Sequence, residues 1–288
     1  MAAPGARVGT LYVVATPIGN LGDLSPRATE VLRAVGAVAA EDTRRTLKLF
    51  AHLGTPAPAL LSLPAFDERG RMGAVLERLR AGQEVALCTD AGTPGVSDPG
   101  AALVAAAWEA GARVVPVPGP SAALAALAAS GFPADRFVFA GFLPRKGGGR
   151  AEALAWLARA RSTVVLYEAG SRTAETLGHL AEALGDRPAL VARELTKLHE
   201  ELLRAPLSAL TAALEARAEV KGEVTIVVGP PAAGTAARPE EPAEPLEQEL
   251  RRRLEAGEAP SALAREVARA RGLKRGDVYD VISKIRRS

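Results

Sequence analysis

Short apolar runs, each followed at once by a loop rich in glycine and proline and then by a helical pattern, recur along most of the chain. This alternation limits the fold more than any other feature. It is the repeat of a βα unit, in which parallel strands are joined by helical crossovers because a tight turn cannot connect them. The first run is GTLYVVAT (9–16), and SPRATEVLRAVG (25–36) supplies a helix with Ser25 as N-cap, Pro26 at its first position and Gly36 as its stop. Further strands are predicted at AVAAE (37–41), ALLSL (59–63), EVALCT (84–89) and ARVVPVPG (112–119), with helices between them. Asp98 is read as the cap of the helix after the fourth strand, with Pro99 at its first position.

The alternation starts again near residue 135. RFVFAGF, STVVLYEA, PALVARE and GEVTIVVG read as strands, and the segments between them as helices. A chain of 288 residues is too long for one ordinary domain. The predicted fold class is α/β, with two successive lobes built on mostly parallel sheets and a small C-terminal helical unit. The expected boundaries are 1–119 for the first lobe, 120–229 for the second, 230–245 for a linker rich in Pro, Ala and Glu, and 246–288 for a small basic helical domain. The last of these holds eleven Lys and Arg against seven Asp and Glu, so it carries the basic excess of a chain whose net charge is +3. Its ARARGLKRGDVYDVI segment resembles a helix-turn-helix.

Composition and missing motifs narrow the function. Aromatic residues are only 4% of the chain, so the cores are built from Ala, Val and Leu. The single cysteine, Cys88, excludes an intramolecular disulfide framework and reads as a buried strand residue. The N-terminal stretch lacks the pattern of an export signal, and the most apolar window, 101–131, is interrupted by charges and prolines. A cytoplasmic protein without a membrane span is expected. Phosphate-loop, dinucleotide, zinc-helix and nucleophile-elbow signatures are all missing, and His52, His179 and His199 lie far apart in sequence. No metal is expected.

What remains is a set of loops that each follow a strand directly: TPIGNLGD (16–23), DAGTPGVSDPG (90–100), PGPSA (118–122), GFLPRKGGGR (141–150), YEAGSR (167–172) and RELTKLHEE (193–201). In a parallel sheet such strand ends share one edge, so these loops converge on one crevice, where α/β proteins bind ligands.

TPIGNLGDLSPRA, AEDTR (40–44), SDPG, PGPSA, FLPRKGGGR, ARELTK and GEVTIVVGP together resemble the tetrapyrrole methylase superfamily, and within it the small-subunit ribosomal RNA ribose 2′-O-methyltransferase I family. The match runs in order from residue 9 to about 229. It implies a homodimeric two-lobed enzyme that uses S-adenosylmethionine to methylate a cytidine ribose in the decoding region of small-subunit RNA. By the same resemblance Pro17, Asp90, Gly92, Thr93, Ser121, Ala122, Ala169 and Leu195 line the cofactor site.

A ribose hydroxyl must lose its proton during or after methyl transfer. Glu41, Asp42, Arg44, Arg193, Glu194 and Lys197 are the charged candidates for that chemistry, with a salt-bridge network as their alternative role. Arg145, Lys146 and Arg150 suit an RNA backbone, with Arg44 and Arg45 adding charge near the first lobe. The chain departs from the family pattern where YEAGSR replaces a motif containing histidine and where LPAFDERGR (63–71) lacks the usual histidines. Two alternatives stay open: an enzyme of the same superfamily acting on a tetrapyrrole or a protein side chain, and a noncatalytic ribosome-assembly factor. S-adenosylmethionine affinity separates the second from an enzyme.

Overall fold

Strands β1 (Thr10–Val14), β2 (Ala37–Ala40), β3 (Ala59–Ser62), β4 (Val85–Cys88) and β5 (Arg113–Val117) form one parallel sheet in the order β3-β2-β4-β1-β5. The structure is a computed structural model that describes residues 8–231, 246–271 and 273–286. Helices α1 (Pro26–Ala34), α2 (Thr43–His52), α3 (Glu68–Arg80) and α4 (Ala101–Glu109) cover the sheet. Alternate residues of one strand feed different cores, as a period of two demands. Ala37, Ala39, Val85 and Leu87 pack with Val75, Leu79 and Leu103 of α3 and α4. Val38, Ala40, Ala86 and Cys88 pack with Leu32, Leu49 and Phe50 of α1 and α2. The alanines of β2 leave room for helices on both faces, which is how a core so poor in aromatics closes.

After α5 (Ala122–Ser130) a second sheet begins: β6 (Phe137–Phe142), β7 (Thr163–Ala169), β8 (Pro188–Arg193), β9 (Glu201–Pro206) and β10 (Glu223–Val228), in the order β6-β7-β10-β8-β9. Helices α6 (Gly148–Ala158), α7 (Thr173–Leu184) and α8 (Leu207–Glu215) pack on one face, and α5 on the other. The expectation of a mostly parallel second sheet fails. Only β6 and β7 are parallel, while β10 runs against both β7 and β8, and β9 runs against β8. The reason is β9. The charged RELTKLHEE stretch leads straight into a short edge strand, ELLRAP, whose residues alternate between half-buried and exposed. Without it, β8 joins β10 through one helix as in a parallel crossover; with it, the chain reverses once more and β10 comes back antiparallel.

Two local readings also change. Helix α4 starts at Ala101 with Gly100 before it at φ 132°, and Asp98 is not its cap. A Cβ on residue 100 would come within 2.9 Å of Leu87 Cδ2, so both the conformation and the packing require glycine. The cap comes from another helix: Glu68 Oε1 accepts from the Leu103 N–H at 2.9 Å. Arg150, expected on an RNA-facing loop, is buried at 7% exposure in the first turn of α6. It donates to Pro144 O (3.1 Å) and Thr176 Oγ1 (3.0 Å) and meets His179 Nδ1 (3.1 Å), so its guanidinium is committed to the interior.

The described residues up to Pro231 form one compact unit and those from Leu246 a second. The expected linker lies, from 232 to 245, outside the described residues. In the second unit α9 (Leu246–Glu255), α10 (Pro260–Arg271) and α11 (Arg275–Ile285) close their own core around Leu250, Leu263, Val267, Val278 and Ile282.

Each unit has a separate core, so a chain ending at residue 231 should lose from its circular dichroism only the helical signal of α9, α10 and α11 and shift little in melting temperature. Unfolding on truncation would contradict this. Arg150→Ala strands several buried partners and should cost about 2 kcal/mol or more of stability, readable by denaturant titration.

Candidate functional site

The reversal of β10 brings its first residues level with the last residues of its neighbours: Glu223 pairs with Ala169 of β7, and Val224 with Arg193 of β8. A cleft of about 260 Å³ opens there, between these strand ends and the loops of the first sheet. Ile18, Gly92, Thr93, Ser97 and Asp98 line it from the first sheet, and Ser121 and Ala122 from the start of α5. Phe142, Tyr167, Glu168, Ala169, Leu195, Lys197 and Gly222 to Thr225 also line it, as do Ala91, Val96 and Ala192.

The loops are held rigidly. Thr16 and Gly92 exchange backbone hydrogen bonds of 2.8 and 3.0 Å, which clamps the first loop to the fourth. The Asn20 N–H donates to Thr196 Oγ1 at 3.1 Å, which joins the first sheet's loops to the second's. Among the described residues, the only non-glycine positions with positive φ are Ser97 (65°), Glu194 (50°) and Thr196 (66°). All three lie in or beside the cleft. Strained backbone is kept where the surrounding structure enforces it, and it clusters at functional sites.

The charges around the cleft fall into three groups. Asp98 is half-buried, lines the cleft and accepts no hydrogen bond from any described residue. Burial, followed by the charges of Glu41, Asp90 and Glu223, pushes its carboxyl up to about 7. The second group sits at the ends of β2 and β4. Glu41 Oε2 accepts from the Asp90 N–H and Asp90 Oδ1 from the Asp42 N–H, both at 3.1 Å, while Arg45 pairs with Asp90 at 3.3 Å. Burial raises both Glu41 and Asp90. Asp42 caps α2 and holds Arg44 through two contacts of 2.7 and 3.0 Å, and these bonds lower its carboxyl to about 2. In the third group Lys197 Nζ bridges Glu194 (2.8 Å) and Glu223 (2.9 Å). Burial opposes its charge, but the hydrogen bonds to the two carboxylates outweigh that and raise it.

The family profile of Tetrapyrrole (Corrin/Porphyrin) Methylases matches residues 10–211. A relative from Xylella fastidiosa, "Ribosomal RNA small subunit methyltransferase I", is 51% identical over 76% of this chain and 81% of its own. A Synechocystis relative of the same name is 44% identical over 95% of this chain and 97% of its own. The chain belongs to the ribosomal RNA small subunit methyltransferase I family. The fold is also that of the uroporphyrin-III C-methyltransferase from Thermus thermophilus solved with S-adenosylhomocysteine, at TM-score 0.55, 22% identity, and coverage of 76% of this chain and 97% of that one.

In this family member the structure gathers Gly92, Thr93, Ser121, Ala122, Ala169 and Leu195 around the cleft, together with Lys197. Pro17 and Asp90 are beside it but do not line it; they adjoin Ile18 and Ala91, which do. Glu41, Asp42 and Arg44 also stand outside the lining. Asp42 and Arg44 are occupied with each other, and Lys197 is held as a cation, so neither Asp42 nor Lys197 is suited to take up a proton. Arg193 is tied to Glu201, which also holds Arg217. Arg145 and Lys146 are exposed. Sequence reasoning missed Asp98 as a cleft group because SDPG fits a helix start equally well. It missed Gly222 to Thr225 because a strand's first residues reach the ligand edge only if the strand is antiparallel.

A carboxyl near 7 binds a cationic ligand only after it loses its proton, so affinity for such a ligand should fall as pH drops below 7. The limit is about tenfold per pH unit. Asp98→Asn should flatten this dependence between pH 5.5 and 7.5 and weaken binding by about 2 kcal/mol. Calorimetry with S-adenosylmethionine measures both; an unchanged pH profile would remove Asp98 from the site.

Proposed function

We propose that this chain transfers the methyl group of S-adenosylmethionine to the 2′-hydroxyl of a cytidine ribose in the decoding region of small-subunit ribosomal RNA. The observation that carries the reading is the unpaired carboxylate of Asp98 inside a cleft that family membership assigns to a methyltransferase. S-adenosylmethionine has an ammonium, a sulfonium, a carboxylate, a ribose and an adenine, and no phosphate. The cleft fits that chemistry: Asp98 offers a partner to a cation, Phe142, Leu195 and Val224 offer apolar surface, and bent backbone takes the place of a phosphate loop. When bound, the group supplies an electrophilic methyl.

The protein's own residues do the rest. Asp98 anchors the amino-acid end as a carboxylate. Gly92, Thr93, Ser121, Ala122, Ala169 and Leu195, with Pro17 and Asp90 supporting the loops, hold the remainder in one pose, and fixed placement of the acceptor beside the methyl lowers the barrier. Lys197, kept protonated between Glu194 and Glu223, fixes these two carboxylates at the rim of the cleft. Glu41 stands outside the cleft lining and accepts from the Asp90 N–H at 3.1 Å, so it positions the loop after β4, and the proton of the acceptor hydroxyl passes to water. Arg145 and Lys146, which lack acidic partners among the described residues, contact RNA phosphates, with Arg44 and Arg45 exposed nearer the first sheet's loops. Among the described residues no helix is long and apolar enough to cross a membrane. We take the working form to be a cytoplasmic homodimer, which sedimentation of the purified protein tests.

Incubation with small ribosomal subunits and methyl-labelled S-adenosylmethionine should label a cytidine 2′-oxygen, located by nuclease mapping. Label on protein, or none on RNA, would refute the reading. Arg145→Ala with Lys146→Ala should raise KM for subunits several-fold and flatten its salt dependence, leaving S-adenosylmethionine affinity unchanged.

A further inference from the structure

The C-terminal helices carry charge that their own fold does not use. Glu247, Glu249, Glu258 and Glu266 are consumed by Arg251, Arg253 and Arg271 on α9, on α10 and in the turn between them. Among the described residues, Lys274, Arg275, Lys284 and Arg286, on or beside α11, have no acidic partner. Helical spacing then sorts the residues of α11. Val278, Val281, Ile282 and Ile285 face the core of this unit. Arg275, Tyr279 and Arg286, at i, i+4 and i+11, line one flank, while Asp277, Asp280 and Lys284 fall on the other.

Tyr279 is 44% exposed, and Leu273, just before the helix, is 43% exposed. Gly276 sits in the first turn, where a Cβ would meet nothing within 4 Å and no positive φ demands glycine. The helix therefore bears a poor helix former that its own packing does not require, and the backbone beside Arg275 is bare enough for close approach by a partner. Guanidinium groups flanking an exposed aromatic ring are suited to RNA: the former pair with phosphates, and the ring stacks on an unpaired base.

We propose that the Arg275–Tyr279–Arg286 flank of α11 is a second RNA-contacting surface, one that takes a looped or single-stranded segment of small-subunit ribosomal RNA in addition to the contacts of Arg145 and Lys146. The inference rests on the ribosomal RNA reading above. It places the acids of α11 away from the contact and gives the basic excess of the tail a specific purpose.

The test uses the full chain and purified small ribosomal subunits, with binding measured across a salt series and S-adenosylmethionine affinity measured in parallel. Arg275→Glu with Arg286→Glu should weaken subunit binding about tenfold or more and reduce the slope of log affinity against log salt by one to about two. Tyr279→Ala should weaken binding about tenfold at every salt concentration, while Tyr279→Phe keeps it. Lys284→Ala, on the opposite flank, should bind like the parent, and all variants should keep parental helicity and S-adenosylmethionine affinity.

Parental subunit binding by the folded double variant would overturn the proposal. So would loss of binding with an unchanged salt slope, which points to a protein partner, or equal damage from Lys284→Ala. If the parent itself binds S-adenosylmethionine but does not label subunit RNA, the ribosomal RNA reading fails first, and it fails whatever the variants do.

Discussion

Strand β10 lies between β7 and β8 and runs against both, and the site depends on that reversal. Because of it, the beginning of one strand and the ends of two others meet at one edge, so Glu223 comes close enough to share Lys197 with Glu194. The reversal in turn requires β9, a six-residue edge strand made largely of half-exposed positions. A small, weakly apolar element thus decides which residues face the cleft.

Burial of carboxylates gives the cleft its chemical character. Asp98, Glu41 and Asp90 are all raised, with desolvation the largest cause in each case and neighbouring acids adding to it. Water and a few arginines do not neutralise such a concentration of negative charge, and a cationic ligand relieves it. Lys197 shows the opposite balance: two carboxylates at hydrogen-bond distance overcome the cost of its burial. All four groups are therefore raised in and beside the cleft, which moves the acids toward their neutral form and Lys197 toward its charged one, and perturbed groups of this kind cluster at working sites.

Asp98 is available because another residue does its expected work. Glu68 caps α4 from a neighbouring helix, and Gly100 makes the turn at a φ that a side chain would not tolerate. Arg150 shows the converse. Its neighbours in sequence mark it as a surface cation, yet it bonds to Pro144, Thr176 and His179 in the interior and braces the loop that presents Arg145 and Lys146.

The amino-acid sequence alone determined the alternation of strands and helices, the parallel first sheet, the three tail helices and the set of loops from which the cleft is built. These follow from local periodicity, caps and breakers, each of which acts within a few neighbouring residues. Only the tertiary structure decided the direction of β10, the interior role of Arg150, the release of Asp98 into the cleft and the pairing of Lys197 with Glu223. Each of these depends on contacts between residues far apart in the chain or on the desolvation of a carboxylate, and neither leaves a periodic trace in the order of the residues.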